Sequence, residues 1–186
     1  EIRLSLVGSE MCIRDRDSVL NARVKECAPF ENVYTLALRG LHDRAMNASN
    51  DMGDRKDMLQ EALMAQRQML VDAIGKPGEE IPQAFTPYKE VLDVYDEGLE
   101  LPDDVTIIWP DDNYGYMKRL STPKEQKRSG RSGVYYHSSY LGKPHDHLWM
   151  NTVSPTLMYE ELRKAYDATA DRIWLLNAGD IKSCEF

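Results

Sequence analysis

Short apolar runs alternate along this chain with amphipathic stretches, and this alternation limits the folds it can adopt more than any other feature. Five of the runs are predicted to be strands, at 33–38, 82–86, 105–109, 133–138 and 172–177. Such alternation is typical of repeated βα units around a parallel sheet. We therefore predict an α/β fold with about five parallel strands and intervening helices. This amounts to part of a (β/α)8 TIM-type barrel, because a complete barrel needs about 250 residues.

Helices are predicted between these runs, at 54–74, at 89–97 and after Ser154. The first is expected to take its N-cap from Asp54 and to end at Gly75. In the last, Ser154 is the predicted N-cap and Pro155 occupies the first turn. Apolar spacing predicts the buried faces, which are Leu59, Leu63, Leu70 and Ile74 in the first helix and Met158, Leu162 and Ala165 in the last.

The first 16 residues differ from the rest of the chain. They show neither a strand nor a helix period and resemble a translated sequencing adaptor, so residues 1–16 are predicted to be non-native and to pack poorly. Residues 17–186 are assigned to one partial barrel domain. Because five strands are too few for a closed barrel and the sequence stops just after the fifth, we expect the chain to be incomplete.

Charge and hydropathy exclude some classes of partner. The chain has 23 basic and 31 acidic residues, a net charge of -8, which disfavours nucleic acid as a partner. No apolar run approaches the roughly 18 residues of a membrane span. Six basic residues concentrate between Lys118 and Arg131 among Ser and Gly. A solvated loop is the favoured interpretation, and an anion-binding lid is the alternative.

Polar side chains cluster where the predicted strands end. The candidates are Arg39 and Asp43 after the first strand, Glu90 after the second, Asp111 and Asn113 after the third, Tyr135 and His137 in the fourth, and Asn177 at the end of the fifth. In a parallel barrel these ends open on one face, where active sites are built. We therefore expect these side chains to line one concave face.

Three of the candidates are carboxylates, which is what glycoside hydrolysis requires. Among Asp43, Glu90 and Asp111, one group can protonate the leaving oxygen while another activates water or attacks the sugar. Arg39 can hold a substrate carboxylate through a bidentate fork. The other polar candidates, which can bond sugar hydroxyls, are Asn113, Tyr135, His137 and Asn177.

Structural interpretations of the same residues remain open. Asp111 or Asp112 can cap a turn, Glu90 can be a first-turn helix acid, and His137 can be a hydrogen-bonded core histidine. His145 and His147 flank Asp146 and, with His137 and Asp111, offer metal-ligand types. Their spacing fits no metal motif, so no metal site is predicted. The three cysteines likewise show no metal spacing.

Five ordered sequence blocks resemble those of the glycoside hydrolase family 115 α-glucuronidases. They are YTLALRGLHDRAM (34–46), PYKEVL (87–92), WPDDNYGYMKRL (109–120), GVYYHSSYLGKPHDHLW (133–149) and LLNAGDIK (175–182). They are distributed over residues 34–182, which is most of the chain after residue 16. The departures are Leu141 and His147, where the family pattern has an aromatic residue, and Ala178, where it has valine.

The resemblance implies a partial catalytic barrel of an inverting, exo-acting hydrolase without metal or organic cofactor. Its substrate would be xylan or an oligosaccharide decorated with α-1,2-linked glucuronic acid or the 4-O-methyl form. Within the matching blocks, Glu90 is favoured as general acid and Asp43 as the group assisting water. Asp111 is a third carboxylate able to exchange roles with either. Arg39, Asn113, Tyr135, His137 and Asn177 become substrate-binding residues.

Two other classes of function stay open. One is a metal-assisted barrel hydrolase that uses His137, His145 and His147. The other is a non-catalytic carbohydrate-binding fragment. For the parent protein the resemblance further implies a periplasmic or secreted bacterial enzyme, with a homodimer as one option, and it implies neither nucleic acid nor membrane as a partner. The isolated fragment is expected to be inactive.

Overall fold

The structure is a computed structural model that describes residues 20–39, 51–140, 142 and 151–178. The helices are α1 (20–27), α2 (Met52–Ile74), α3 (Glu90–Asp96) and α4 (Pro155–Asp167), and the strands are β1 (Tyr34–Leu36), β2 (Gln83–Phe85), β3 (Thr106–Pro110), β4 (Ser132–His137) and β5 (Ala170–Asn177). The chain forms two compact units, Glu1–Val105 and Thr106–Phe186. Residues 1–16, Asp43, His145 and His147 lie outside the described residues.

In the first unit, β1 and β2 pair in parallel, with Leu36 opposite Phe85. α2 covers them with the face predicted from its apolar spacing, since Leu59, Leu63 and Leu70 are fully buried. These side chains join the two strands in one hydrophobic core. The spacing of these leucines therefore determines which face of the helix meets the sheet.

The predicted C-terminal end of α2 was correct, but the predicted N-cap was wrong. The N-cap is Asp51 and not Asp54: its carboxylate accepts from the N–H groups of Gly53 and Asp54, at 2.8 and 3.2 Å. Asp51 has the extended backbone of a cap residue, whereas Asp54 already lies in the first turn. The predicted end is confirmed, because Gly75 adopts the left-handed conformation with φ of 74° and bonds back to Val71.

In the second unit, β3, β4 and β5 pair in parallel in that order, with Pro110 opposite Tyr135 and His137 opposite Asn177. Every residue of β3 is buried, as expected of a β-branched run covered on both faces. The pairing of β4 with β5 is irregular at Gly133, where a Cβ atom would stand 2.1 Å from the carbonyl oxygen of Ile173. Only glycine allows this close approach of the two backbones.

α4 begins as predicted. Ser154 accepts a hydrogen bond from the N–H of Leu157 at 3.3 Å, and Pro155 occupies the first turn. Ala165 is buried against Val134, while Met158 and Leu162 pack at the edge of the same cluster. None of the helices in the described part of the chain combines the length and the apolar character that a membrane span requires.

Each of the five predicted strands overlaps an observed one, and an α-helix separates each consecutive pair except β3 and β4, which the basic segment connects. All the strand pairs within each unit are parallel. The predicted architecture of a partial α/β barrel is therefore confirmed. The predicted strand boundaries differ from the observed ones by at most two residues, with β1 reduced from 33–38 to Tyr34–Leu36.

Candidate active site

Arg39 and Glu90 form a bidentate ion pair in the first unit. Arg39 Nε donates to Glu90 Oε1 at 3.0 Å, and its Nη2 donates to Oε2 at 3.1 Å. Both side chains are about one-fifth exposed, at 20% and 21%. Arg39 follows β1 and Glu90 opens α3 just after β2, so both lie beyond the carboxyl ends of parallel strands. A paired fork of this kind is the geometry in which arginine recognises carboxylates.

Gln66, a buried polar residue of α2, binds the backbone of Ala37, which lies just after β1 and two residues before Arg39. Gln66 of α2 donates from Nε2 to the carbonyl oxygen of Ala37 at 2.9 Å, and its Oε1 accepts the Ala37 N–H at 3.0 Å. The amide side chain thus occupies both backbone groups of Ala37, as a neighbouring strand would. The sequence did not predict this role for Gln66, because a single glutamine in a helix does not indicate a partner that is distant in the chain.

The backbone just before Glu90 is unusual. Lys89 has φ of 53° and ψ of -123°, a backbone conformation that residues other than glycine rarely adopt. It turns the chain from β2 into α3 and puts Glu90 in the first helical turn, where the helix dipole favours a negative charge. Arg39 and Lys89 both lie over the ring of Tyr88, at 5.4 and 5.0 Å from its centroid. Tyr88 therefore belongs to this group, although it was not among the predicted site residues.

In the second unit, His137 and Asp111 form a buried pair. Nδ1 of His137 lies 2.6 Å from Oδ1 of Asp111, and the two side chains are 2% and 0% exposed. Their strands are neighbours, and the parallel register brings the end of β3 beside the end of β4. His137 is therefore buried and hydrogen-bonded, in agreement with its interpretation as a core histidine. The pair also resembles the aspartate that orients a histidine in many active sites.

Two further candidates join this group. Asn177 donates from Nδ2 to the hydroxyl of Tyr135 at 2.8 Å. The rings of Tyr135 and His137 lie 4.7 Å apart, since alternate residues of β4 point to the same face. Five predicted site residues of the second unit thus form one continuous chain of contacts. They are Asp111, Asn113, Tyr135, His137 and Asn177.

The loop after β3, residues 111–117, is held by carboxylates. Asp112 accepts from the N–H groups of Tyr114 and Tyr116 through a single oxygen, at 2.9 and 3.1 Å. Glu161 of α4 accepts the N–H of Met117 at 2.9 Å. Burial alone would raise the pKa of Glu161, but hydrogen bonds from Lys164 and from Met117 outweigh it and lower that pKa. Glu161 lies in a helix far along the chain, and the sequence carried no signal for this role.

Tyr136 supports the same loop from β4. Its hydroxyl donates to the carbonyl oxygen of Gly115 at 2.9 Å. Burial and then the nearby charges of Asp111 and Glu161 raise the pKa of Tyr136 to about 12, so the phenol keeps its proton. Gly115 has φ of 92°, and a Cβ there would stand 2.7 Å from Val153. The turn therefore needs glycine for both its conformation and its packing.

Aromatic rings lead outward from His137. Tyr140 meets the His137 ring edge to face with centroids 5.5 Å apart, and Tyr114 meets Tyr140 in the same way at 6.1 Å. The exposed fraction of the whole residue rises from 1% at His137 to 39% at Tyr114. Such a row can contact the apolar faces of sugar rings. The aromatic spacing in YYHSSY and DDNYGY was the available signal for Tyr140 and Tyr114, which were not predicted as site residues.

The basic segment between Lys118 and Arg131 uses two of its arginines internally. Arg119 forms a bidentate pair with Glu125 at 2.8 and 3.0 Å and lies over the Trp109 ring at 4.4 Å. Arg131 pairs with Asp171. The lysines of this segment, Lys118, Lys124 and Lys127, are exposed. This arrangement agrees with a solvated loop.

The metal alternative gains no support from the described residues, where no group of three His, Cys, Asp or Glu side chains is arranged to hold an ion. His145 and His147, on which that alternative partly depends, lie outside the described ranges. Asp43 lies outside them as well, so its predicted role stays a prediction.

Comparisons with known proteins agree with these observations. The sequence profile of Glycosyl hydrolase family 115 matches residues 15–186. No curated protein matches the chain. Among solved structures, the chain is similar to BtGH115A, described as a family GH115 4-O-methyl-α-glucuronidase with specificity for decorated arabinogalactans. The identity is 44% and the TM-score is 0.87, over 94% of this chain and 24% of that one.

The chain therefore spans about a quarter of the length of that enzyme. The profile match extends over every residue from 15 onward, and it includes all eight predicted site residues. On this match, supported by the fold, the chain belongs to glycoside hydrolase family 115.

Proposed function

We propose that this chain is part of an α-glucuronidase that removes terminal glucuronic acid, or its 4-O-methyl form, from a decorated polysaccharide. The observation that carries the proposal is the bidentate pair of Arg39 and Glu90 beyond the ends of β1 and β2. This pair brings together Arg39, which can bind a carboxylate through two hydrogen bonds, and Glu90, whose carboxyl group can act as an acid. Membership of family 115 and the similarity to a 4-O-methyl-α-glucuronidase support the same activity.

Arg39 is proposed to bind the carboxylate of the sugar. Glucuronate offers the guanidinium the same two-oxygen partner that Glu90 offers in the structure. A substrate carboxylate that competes for Arg39 would release Glu90 from one or both of its hydrogen bonds. Binding of the acidic sugar would then be coupled to the availability of the catalytic carboxyl group.

Glu90 is proposed as general acid and Asp43 as the group that assists water. In an inverting hydrolase the two carboxyl groups stand roughly 6.5 to 9.5 Å apart, because a water molecule must fit between base and sugar. A crystal structure that describes Asp43 should place its carboxyl group within that range of Glu90. A separation of about 5 Å would instead indicate a retaining mechanism.

The polar residues of the second unit are proposed to bind hydroxyl groups of the substrate. Tyr135 and Asn177 hold each other in place through their 2.8 Å hydrogen bond, so the phenol is fixed before a ligand arrives. Asn113 has a left-handed backbone, with φ of 73°, which is set by the turn after β3. Groups that are ordered in advance lose less entropy on binding.

The polysaccharide itself is proposed to be xylan that carries α-1,2-linked glucuronic acid. A decorated arabinogalactan is the second candidate, since BtGH115A has specificity for such polymers and is 44% identical to this chain. Both substrates present the same acidic sugar, so the site around Arg39 would serve either. The rings of Tyr114 and Tyr116 are 39% and 47% exposed, and they are available for contacts with the backbone sugars of the polysaccharide.

The experiment uses the full-length enzyme that contains this segment, incubated with glucuronoxylan and with a glucuronic-acid-decorated arabinogalactan. Released uronic acid is quantified by anion-exchange chromatography, and proton NMR identifies the anomer formed first. Release of the β-anomer from xylan is the expected result, since inversion of an α-linkage gives a β-product. Release from arabinogalactan alone would favour the second candidate, and an α-anomer would exclude inversion. No release from either polymer would overturn the proposed activity.

A further inference from the structure

Asp111 has no exposed side-chain surface, and both its oxygens accept hydrogen bonds from within the protein. Oδ1 accepts the N–H of Asn113 at 3.1 Å and faces Nδ1 of His137 at 2.6 Å. Oδ2 accepts the N–H of Gly115 at 3.2 Å and the N–H of His137 at 3.1 Å. Three backbone N–H donors and the adjoining imidazole on one buried carboxylate leave it poorly placed to exchange a proton with a substrate.

We propose that Asp111 is a positioning residue, which holds Asn113 and His137 in the orientation that substrate binding needs and takes no direct part in bond cleavage. The proposal rests on the proposed glucuronidase function, because it assigns a role within that site. It replaces the catalytic role considered for Asp111 from the sequence. Glu90 and Asp43 remain the candidates for the two catalytic carboxylates.

One effect of Asp111 is on the turn that carries Asn113. By accepting from residues 113 and 115, the carboxylate closes the turn directly after β3. Asn113 is held there in the left-handed region, a conformation that costs energy unless the surroundings impose it. Without this carboxylate, the turn would lose two of the bonds that fix the direction of the Asn113 side chain.

The other effect is on the ring of His137. A carboxylate that accepts from three backbone N–H groups acts as an acceptor toward Nδ1 as well, so Nδ1 carries the proton. This hydrogen bond sets the tautomer and the rotation of the imidazole. The ring in turn contacts Tyr135 and Tyr140, at 4.7 and 5.5 Å between centroids. A rotated imidazole would therefore disturb two aromatic neighbours.

The geometry makes Asp111→Asn a sharp test. Because each oxygen of Asp111 accepts a backbone N–H, either orientation of an amide would place its NH2 group against such a donor. Asp112 is the matched control. Its two bonds to the loop both go to one oxygen, so Asp112→Asn keeps them with the amide oxygen in that place. Its other oxygen faces Lys118 at 3.5 Å.

The two variants are compared with wild type in the full-length enzyme, by kcat and KM across pH and by hydrogen exchange of the peptide covering 111–117. For Asp111→Asn we expect kcat/KM to fall by about 100-fold, as for a misplacement of reacting groups. Part of the loss should be a raised KM, and the loop peptide should exchange faster. Both limbs of the pH profile should persist, and azide or formate should not restore turnover. Asp112→Asn should stay within about twofold of wild type.

Loss of one limb of the pH profile, or rescue by a small anion, would show that Asp111 is a catalytic carboxylate and would overturn the proposal. Unchanged kcat/KM together with unchanged exchange would overturn it as well. If Asp111→Asn does not fold, the wild-type enzyme labelled with 15N-histidine decides. The His137 signal, assigned by its absence in His137→Gln, should show a protonated Nδ1, and a deprotonated Nδ1 would contradict the proposal.

These measurements distinguish a failure of the proposed glucuronidase function from a failure of the role proposed for Asp111. A wild-type enzyme that releases no uronic acid would refute the proposed function. Loop exchange and the His137 tautomer would still decide whether Asp111 holds Asn113 and His137.

Discussion

Arg39 and Glu90 are 51 residues apart in the chain, yet their side chains meet in two parallel hydrogen bonds of 3.0 and 3.1 Å. If Glu90 is the general acid, Glu90→Gln in the full-length enzyme should remove nearly all release of glucuronic acid, because the amide keeps the shape but has no acidic proton. A loss of about 100- to 10,000-fold in kcat is expected. Chromatographic assay of the uronic acid and a thermal unfolding curve would measure activity and folding separately.

Glu97→Gln is the matched control for that variant. Glu97 lies at the C-cap of the same helix, α3, and is exposed, so the same chemical change should leave activity unaffected. Wild-type-like turnover by Glu90→Gln would remove Glu90 from the mechanism. The catalytic assignment would then shift to Asp43 and Asp111, and the role of Asp111 as a positioning residue would have to be abandoned.

Tyr136 should make stability depend on pH in the alkaline range. Its pKa is raised from 10.0 to about 12, by burial first and then by Asp111 and Glu161. A phenol with a raised folded-state pKa stabilises the fold fully below pH 10, and this contribution is lost as pH rises toward 12. Urea denaturation should show a decline over this range that is weaker in Tyr136→Phe, which has no proton to lose. At neutral pH that variant should be about 1 kcal/mol less stable, since Gly115 loses its donor.

The control for this variant is Tyr159→Phe. Tyr159 is 73% exposed on α4, so removing its hydroxyl should change neither the stability at neutral pH nor its alkaline decline. An identical decline in wild type and Tyr136→Phe would show that another group is responsible.

Glu161 should act in the opposite direction, at acid pH. Burial alone would raise its pKa, but the hydrogen bonds from Lys164 and Met117 prevail and lower it below 4.5. A carboxylate with a lowered folded-state pKa stabilises the fold above pH 4.5, and the contribution is lost as pH falls through the lowered value. Glu161→Gln should therefore flatten the acid limb of the stability curve and cost roughly 1 kcal/mol at pH 7.

Glu160→Gln provides a close comparison, because Glu160 pairs with the same Lys164 at 2.9 Å but is 60% exposed. An exposed pair contributes little, so this variant should be nearly neutral. Equal destabilisation by the two substitutions would mean that the buried contact with Met117 has no special weight.

β5 presents an apolar surface to solvent. Trp174, Leu175 and Leu176 are 49%, 44% and 64% exposed. Adjacent exposed apolar side chains on a strand favour association. The 186-residue chain alone should therefore bind a hydrophobic dye and self-associate in analytical ultracentrifugation, and Leu176→Lys should reduce both. Tyr159→Lys, at an exposed helix position, should reduce neither, and equal effects of the two would argue against a role for β5.

The strands were the most predictable part of the fold. The run VTIIW predicted a strand at 105–109, and β3 spans Thr106–Pro110 with every residue buried. A β-branched run covered on both faces needs no distant information to be identified. The N-cap of α2 was less predictable. Asp51 and Asp54 are equally suited by type, and only the extended backbone of Asp51 decides between them.

The candidate site likewise has features that the sequence predicted and features that only the tertiary structure decided. By itself, the sequence determined the order of strands and helices and placed polar residues just beyond the strand ends, because both follow from local periodicity. Tertiary structure decided which partners these residues have, pairing Arg39 with Glu90 and surrounding Asp111 with three backbone N–H donors and the His137 ring. Residue type and spacing could not distinguish a catalytic carboxylate from a turn-closing one. That distinction depends on burial and on hydrogen-bond donors from distant segments, which leave no periodic signal in the chain.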